Sequence, residues 1–412
     1  MRSARLWVRL LGVERTVVEA VDFDGEALVV WVRPDWRERR RCGVCRRRCP
    51  GYDGGEGRRR WRALDLGATR CYLEAEAPRV CCKRHGVVVA AVPWARHDAR
   101  FSRSFEDQTA WLACQCSQRA VSELMRIAWL SVGRILARVA AEKRASFDPL
   151  DRLVRIGIDE ISHRRGQRYL TVVVDHDSGL LVWAAPGRDK KTLRRFFDLL
   201  GEQRSARIEL VSADGAAWIE EVVSERCPQA AICLDPFHVV QWATAALDEV
   251  RREVWNAARQ AGQSGEAKAL KGARFALWRN PEDLSARQQA TLAQIAQTNE
   301  PLYRAYLLKE QLRQALKLPA GEALALLEGW LAWARRSRLP AFVKLAQQIA
   351  AHRQGIAAAL CFGLSNARTE SVNTRIRLIA RRAFGFHSPE ALIALALLSL
   401  GGLCPPLPGR AF

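Results

Sequence analysis

Residues 154–159 read Val-Arg-Ile-Gly-Ile-Asp and residues 208–214 read Ile-Glu-Leu-Val-Ser-Ala-Asp. Each is a short run of β-branched and aliphatic residues that closes on an aspartate, the pattern of a buried strand rather than of a helix. Three further runs of this kind, Tyr169 to Asp175, Leu180 to Ala185 and Ala231 to Asp235, lie around them. Helical spacing falls between the strands, at Lys190 to Gly201 and Ala216 to Arg226. The order β-β-β-α-β-α-β specifies an α/β fold, a mixed sheet whose helices link one strand to the next. Asp175 and Asp177 read as hairpin-turn residues, and Glu160 as pointing to the opposite face from Asp159.

Outward from this block the chain changes character. From Val239 to about Leu364 it is helical throughout, punctuated by Pro281, Pro301, Pro319 and Pro340. A helix from about Arg368 to Arg382 follows, then an apolar helix that stops at Gly401-Gly402. Upstream, residues 101–145 place Phe101, Phe105, Trp111 and Leu112, then Val121, Leu124, Ile127, Val132, Ile135, Leu136 and Val139, at helical spacing. Residues 1–32 hold a strand-like run, Ala27 to Val32, and residues 33–62 carry 12 Arg against Asp35, Glu38, Asp53 and Glu56, a net of +8. The expected division is 1–98, 99–150 and 151–412, the last with a helical insertion at about 240–365.

Length and composition bound the function. At roughly 100 to 200 residues per domain, 412 residues make two to four domains, and 49% hydrophobic with 26% charged residues excludes wholesale disorder or a fibrous repeat. Lys+Arg 65 minus Asp+Glu 44 leaves +21, the footprint of a polyanion binder, with nucleic acid ahead of a membrane surface. The apolar run Ala391 to Leu400 is about half a membrane span, and charges at Arg2, Arg5, Arg9 and Glu14 interrupt any signal-peptide core. A soluble cytoplasmic protein is expected.

Two pairs of candidate metal ligands stand out among the 12 Cys: Cys42-x-x-Cys45 and Cys82-x-x-His85. The two-residue gap lets both members of a pair turn toward one tetrahedral Zn²⁺, which would hold together a region too small and too charged for its own core. Cys81 or Cys49 could replace one ligand, and buried cysteines are the plain alternative. Cys71, Cys114, Cys116, Cys227, Cys233, Cys361 and Cys404 lie in apolar runs and read as core. Residues 117–138 follow a helix-turn-helix pattern, with Ala120, Val121 and Leu124 facing Val132 and Ile135, and Trp129, Ser131, Arg134 and Arg138 left for a groove or phosphates. Arg126 stands where a turn glycine is usual, and a plain helical hairpin is the alternative.

The acids form a third set. If the strands ending at Asp159 and Asp214 are neighbours, their carboxylates meet at one sheet edge, although 55 positions separate them. A third could come from Glu370, on a helix with Glu370, Thr374, Arg377 and Arg381 on one face and Val372, Ile376 and Ile379 on another. Hard oxygen ligands suit Mg²⁺ (or Mn²⁺), and two such ions support in-line phosphoryl transfer. Taken singly, each acid reads as a strand cap or turn residue. Asp235, in Asp235-Pro-Phe-His238, competes as a metal ligand, with His238 opening the next helix; a capping Asp and a satisfied His are the alternative.

With these motifs the chain resembles bacterial insertion-sequence transposases of the ISL-three family, over nearly its whole length. The likeness rests on Cys42/Cys45/Cys82/His85, the helix-turn-helix, Gly157-Ile-Asp159-Glu160, Asp214-Gly, Asp235-Pro-Phe-His238-Val-Val and Asn366-Ala-Arg-Thr-Glu370-Ser-Val-Asn373. The resemblance implies an RNase H-like mixed sheet with flanking helices and an all-α insertion, preceded by a small zinc-binding domain and a helix-turn-helix. It implies Asp159, Asp214 and Glu370 as a DDE triad, with Asp235 and His238 as an accessory D-x-x-H pair. The expected partners are double-stranded DNA, as terminal inverted repeats and target, and a second copy of the chain or more in synapsis. The rivals are a nuclease of the same fold without joining activity and a zinc-containing DNA-binding regulator.

Overall fold

The structure is a computed structural model that describes residues 2–164, 166, 168–383, 385–386 and 388–410. It divides into two compact units, Met1–Pro149 with Arg375–Phe412, and Leu150–Thr374.

The first unit opens with helix α1 (Arg2–Leu11) and strands β1 (Thr16–Asp24), β2 (Ala27–Pro34), β3 (Gly51–Asp53), β4 (Arg58–Arg62), β5 (Arg70–Glu76), β6 (Arg79–Cys82) and β7 (Gly86–Val89). These form a four-stranded sheet of order β1-β2-β5-β4 and a three-stranded ribbon of order β3-β6-β7. The central strand β2 buries Leu28, Val29 and Val30 in succession and Val32 beyond them, as a strand covered on both faces requires. Here the sequence expectation is corrected, because this basic region has its own core. Strand alternation turns Arg58 and Arg60 outward, where they pair with Glu74 at 3.0 and 2.6 Å, and Trp61 inward, edge-on to Trp94 at 5.6 Å. Helices α2 (Arg103–Gln115), α3 (Gln118–Met125) and α4 (Trp129–Ser146) complete residues 1–149.

The second unit holds β8 (Arg155–Arg164), β9 (Arg168–Asp175), β10 (Leu181–Pro186), α5 (Lys190–Leu200), α6 (Glu202–Ser205), β11 (Leu210–Ala213), α7 (Ala217–Arg226), β12 (Ala231–Leu234) and α8 (Pro236–Gln260). The sheet order is β10-β9-β8-β11-β12, antiparallel through the β8–β9–β10 hairpins and parallel across β8–β11–β12. This is the RNase H-like mixed sheet that the sequence implied. Phe196 and Phe197 of α5 and Ile219 and Val223 of α7 join Ile156, Ile158 and Val211 in one core. The helical insertion continues through α9 (Ser264–Gly272), α10 (Arg274–Trp278), α11 (Ala286–Thr298), α12 (Glu300–Ala315), α13 (Ala320–Arg336), α14 (Pro340–Ala351) and α15 (Arg353–Phe362). Its core centres on Leu247, Leu308, Trp330 and Phe342, all fully buried, and Trp330 Nε1 donates to the Leu308 carbonyl at 2.8 Å.

Helices α16 (Ala367–Arg382) and α17 (Pro389–Leu400) close the chain. The stretch from Arg375 onward, which sequence reading joined to the sheet, clusters with residues 1–149 instead. The reason is the apolar face of α17, which packs on α2 and α4. Among the described residues, no helix is long and apolar enough to cross a membrane.

Candidate active site and metal-binding groups

Asp159 does not end its strand, as the sequence suggested, because β8 stays paired with β9 as far as Arg164, opposite Arg168. Its parallel neighbour β11 pairs only from Arg155 to Gly157, so beyond that point one side of β8 lacks this neighbour. Asp214 follows directly on β11 and accepts from the Ala216 amide at 3.1 Å. The two aspartates therefore do meet, and Glu160 meets them: the carboxylate oxygens of Asp159, Glu160 and Asp214 all lie within 4.8 Å of one another. Strand alternation had assigned Glu160 to the other face. The longer side chain has room to reach the group where β8 overhangs β11, and it is anchored there by Arg188 at 3.0 Å.

Glu370 stands in a second group, with Asp235 and His238, again within 4.8 Å of one another. Asp235 precedes α8 and caps it, accepting from the Phe237 amide at 3.2 Å; the capping and site readings thus hold together. The expected trio is divided between two groups, Asp159 and Asp214 in one and Glu370 in the other. Burial, with the Asp214 and Glu160 charges, pushes the Asp159 carboxyl up to about 6 against the donated Glu160 amide. Burial and Asp214 likewise raise Glu160. Half-buried carboxylates that destabilise each other's charge are a donor set suited to hard divalent cations.

A buried polar layer that sequence reading missed supports Glu370. Ser212 Oγ donates to Asn366 Oδ1 at 2.5 Å and contacts His176 Nε2 at 2.8 Å. Arg368 donates to the His176 carbonyl. Asn366 and Thr369 are fully buried at the start of α16, so close to β8 that a Cβ on Gly157 would lie 2.2 Å from Thr369 Oγ1. Glycine at 157 is therefore what lets the helix carrying Glu370 approach the strand carrying Asp159. The available signal was the polar run Asn366-Ala-Arg-Thr at a helix start.

Burial, then the Arg368 charge, holds the His176 imidazole down to about 4. Above pH 6.5 both folded and unfolded states are neutral there. As pH falls from 6.5 toward 4 the unfolded chain binds a proton that the folded one refuses, so stability is lost. Urea melts across this range should show a slope that His176→Gln reduces, by on the order of 2 kcal/mol at pH 4. Equal slopes in the two proteins would dismiss His176 as the cause.

In the first unit, Cys42, Cys45, Cys82 and His85 offer ligand atoms within 4.8 Å of one another. Four ligands on one tetrahedral Zn²⁺ stand about 3.5 to 3.8 Å apart. The observed separations are 3.6 Å from His85 Nδ1 to Cys42 Sγ and to Cys82 Sγ, and 3.8 Å between Cys45 and Cys82. The Arg84 and His85 amides favour the Cys82 thiolate and bring it down to about 6. Gly43 sits in the first knuckle where a Cβ would lie 2.5 Å from the Val89 carbonyl oxygen. The four-atom group holds neither Cys81, which is exposed, nor Cys49, which lies beside Cys82 and donates to the Arg47 carbonyl at 3.4 Å. Of the cysteines read as core, Cys71, Cys227 and Cys233 are buried, with thiols pushed up to about 11. Cys361 is exposed, and Cys114, Cys116 and Cys404 are half-buried.

The helix-turn-helix is formed by α3 and α4. Arg126 occupies the turn with φ 54° and ψ 46° and is held there by donating to Asp65 Oδ2 at 3.1 Å and the Ala68 carbonyl at 2.9 Å. Val121, Val132 and Ile135 pack as expected, but Leu124 is exposed and Met125 takes the inward place. Arg134 is exposed, and Trp129 and Ser131 are half-buried. Arg138 is half-buried and donates to the fully buried Glu106 at 2.9 and 2.6 Å. Arg377 and Arg381 of α16 are exposed, while Val372, Ile376 and Ile379 are buried.

Comparison with known proteins agrees with this layout. A family model described as transposase matches residues 156–396, the helix-turn-helix domain of transposase family ISL3 matches 90–140, and the zinc-finger of transposase IS204/IS1001/IS1096/IS1165 matches 38–85. The transposase for insertion sequence element IS1557, from two strains of Mycobacterium tuberculosis, is 55% identical over 436 residues, covering 100% of this chain and 98% of the relative. The transposase for insertion sequence element IS1001 of Bordetella parapertussis is 28% identical over 384 residues, 92% of each chain. A mixed sheet with its acids gathered at one end, a zinc-finger and a helix-turn-helix thus stand where the family models match, and the chain belongs to transposase family ISL3.

Proposed function

We propose that this transposase binds the terminal inverted repeats of its element as duplex DNA and cuts and rejoins strands at the carboxylate centre of the second unit. The observation that carries the reading is the gathering of Asp159, Glu160 and Asp214 from two parallel neighbours, with Asp235, His238 and Glu370 as the companion group. Asp159, Asp214 and Glu370 would hold Mg²⁺ or Mn²⁺, with Glu160 and Asp235 as added oxygen donors; a cation held there would supply activation of the attacking oxygen and charge compensation for the leaving one. Asp159 must be ionised to serve, so protonation near its raised value opposes cation binding. Its neighbour His238 offers an imidazole nitrogen to a ligand or to Glu370. Ser, Tyr and Cys nucleophiles are not required for this chemistry.

Zn²⁺ at Cys42, Cys45, Cys82 and His85 would fix the ribbon that, with the helix-turn-helix, reads the repeat. Trp129, Ser131 and Arg134 supply contacts from α4, and Arg377 and Arg381 supply phosphate contacts from α16. Such arginine contacts give a steep salt dependence. Pairing of two ends in synapsis calls for a homodimer or larger assembly acting on the bacterial nucleoid.

The test is a labelled repeat end incubated with the full-length protein, target DNA and Mg²⁺. Joined products are expected; nicked ends without joining would favour a nuclease, and uncut DNA in a tight complex would favour a regulator.

A further inference from the structure

We propose, on the basis of the reading of Asp159 above, that Asn373 is a positioning residue of the strand-transfer centre, holding the Asp159 carboxylate in the orientation that receives a divalent cation. Asn373 Nδ2 donates to Asp159 Oδ2 at 2.7 Å, and the Glu160 amide donates to the other oxygen at 2.7 Å. One donor on each oxygen fixes the plane of the carboxylate. Each oxygen keeps a further lone pair for a ligand.

Stability alone does not account for an amide at this position. Asn373 is 2% exposed, and its Oδ1 has no hydrogen-bond partner among the described residues. An unsatisfied buried carbonyl is costly, whereas an apolar residue such as the neighbouring, buried Val372 would carry no such cost. What the amide contributes in return is its one bond to Asp159. It also lies three residues after Glu370 on the same helical face, so α16 carries both an acid and the clamp on its counterpart in β8. Movement of that helix would disturb both metal-binding groups together.

The experiment uses the full-length protein with Asn373→Ala and the similarly sized Asn373→Leu, each checked by thermal melting. Mn²⁺ binding is measured by calorimetry without DNA, and cleavage of a labelled repeat end is measured across a cation titration. For Asn373→Ala, Mn²⁺ affinity should fall about ten- to a hundredfold, as for other residues that orient metal ligands. Cleavage should recover in part at high cation, and DNA affinity should stay within a few fold. Asn373→Leu removes the donor at similar volume and should weaken Mn²⁺ binding to a similar extent; it decides the matter if the alanine variant does not fold.

Unchanged Mn²⁺ affinity in a folded variant overturns the proposal, as does a cleavage loss that is the same at every cation concentration. Asp159→Asn in parallel separates the two levels. If Asp159→Asn cleaves normally, the reading of the centre itself fails. If Asp159→Asn is inactive while both Asn373 variants bind Mn²⁺ like the parent, only the role of Asn373 fails.

Discussion

Asp159→Asn is expected to lower strand cleavage and joining by roughly a thousandfold or more, since a ligand charge that serves the cation in the transition state contributes several kcal/mol. DNA affinity should stay within a few fold, because the residue lies in the sheet and not on the helix-turn-helix. The same substitution should act in the opposite sense on stability. The Asp159 carboxyl is raised from 3.8 to about 6, chiefly by burial. Below pH 3.8 it is protonated in both states and contributes nothing. As pH rises toward 6 the unfolded chain ionises while the folded one resists, so stability is lost and the penalty persists at neutral pH. Without divalent cation at pH 7.5, the asparagine protein should therefore melt no lower than the parent, and be stabilised by on the order of 1 to 2 kcal/mol. Part of that gain is offset because an amide cannot accept from both the Glu160 amide and Asn373 as the carboxylate does. Normal cleavage by Asp159→Asn would end the assignment of the centre; a lower melting point would show that Asp159 serves the fold more than the chemistry.

Removal of zinc is the second large effect. Native mass spectrometry should find one Zn²⁺ per chain, and a strong chelator should unfold the ribbon of β3, β6 and β7, since structural zinc supplies about 10 to 16 kcal/mol in small zinc domains. The loss should be local. The four-stranded sheet keeps Val30, Trp61, Leu73 and Trp94 in a core of its own, so hydrogen exchange should accelerate in β3, β6 and β7 while β2 and β5 stay protected. Repeat-specific DNA binding should fall by at least tenfold. Cys82→Ser should reproduce the chelator's effect without further loss on chelation. A zinc-free protein with a protected ribbon would refute the site.

These two effects mark how far local pattern carries. The strands from Arg155 to Leu234 and their intervening helices fall within a few residues of where side-chain period puts them, because alternation and helical spacing report which faces are buried. The metal quartet was legible for a related reason: ligands two residues apart on a knuckle converge whatever the rest of the chain does. The core of the N-terminal sheet was harder to see, since the arginines that dominate its composition are the outward half of an alternating pattern whose inward half is Trp61 and its partners.

What local pattern cannot report is the meeting of side chains from distant strands and helices. Asp159 and Asn373 are joined across 214 positions, and the overhang of β8 past β11 decides that Glu160 joins Asp159 and Asp214. Glu370 falls beside Asp235 and His238, and the half-buried Arg138, read as a DNA contact, is paired with the buried Glu106. The sequence by itself determined the strand and helix types, the zinc-ligand spacing and the surplus of positive charge. Only the tertiary structure decided which acids share a neighbourhood and which arginines pair with carboxylates, because those outcomes depend on strand register and helix approach, set by contacts among residues far apart in the chain.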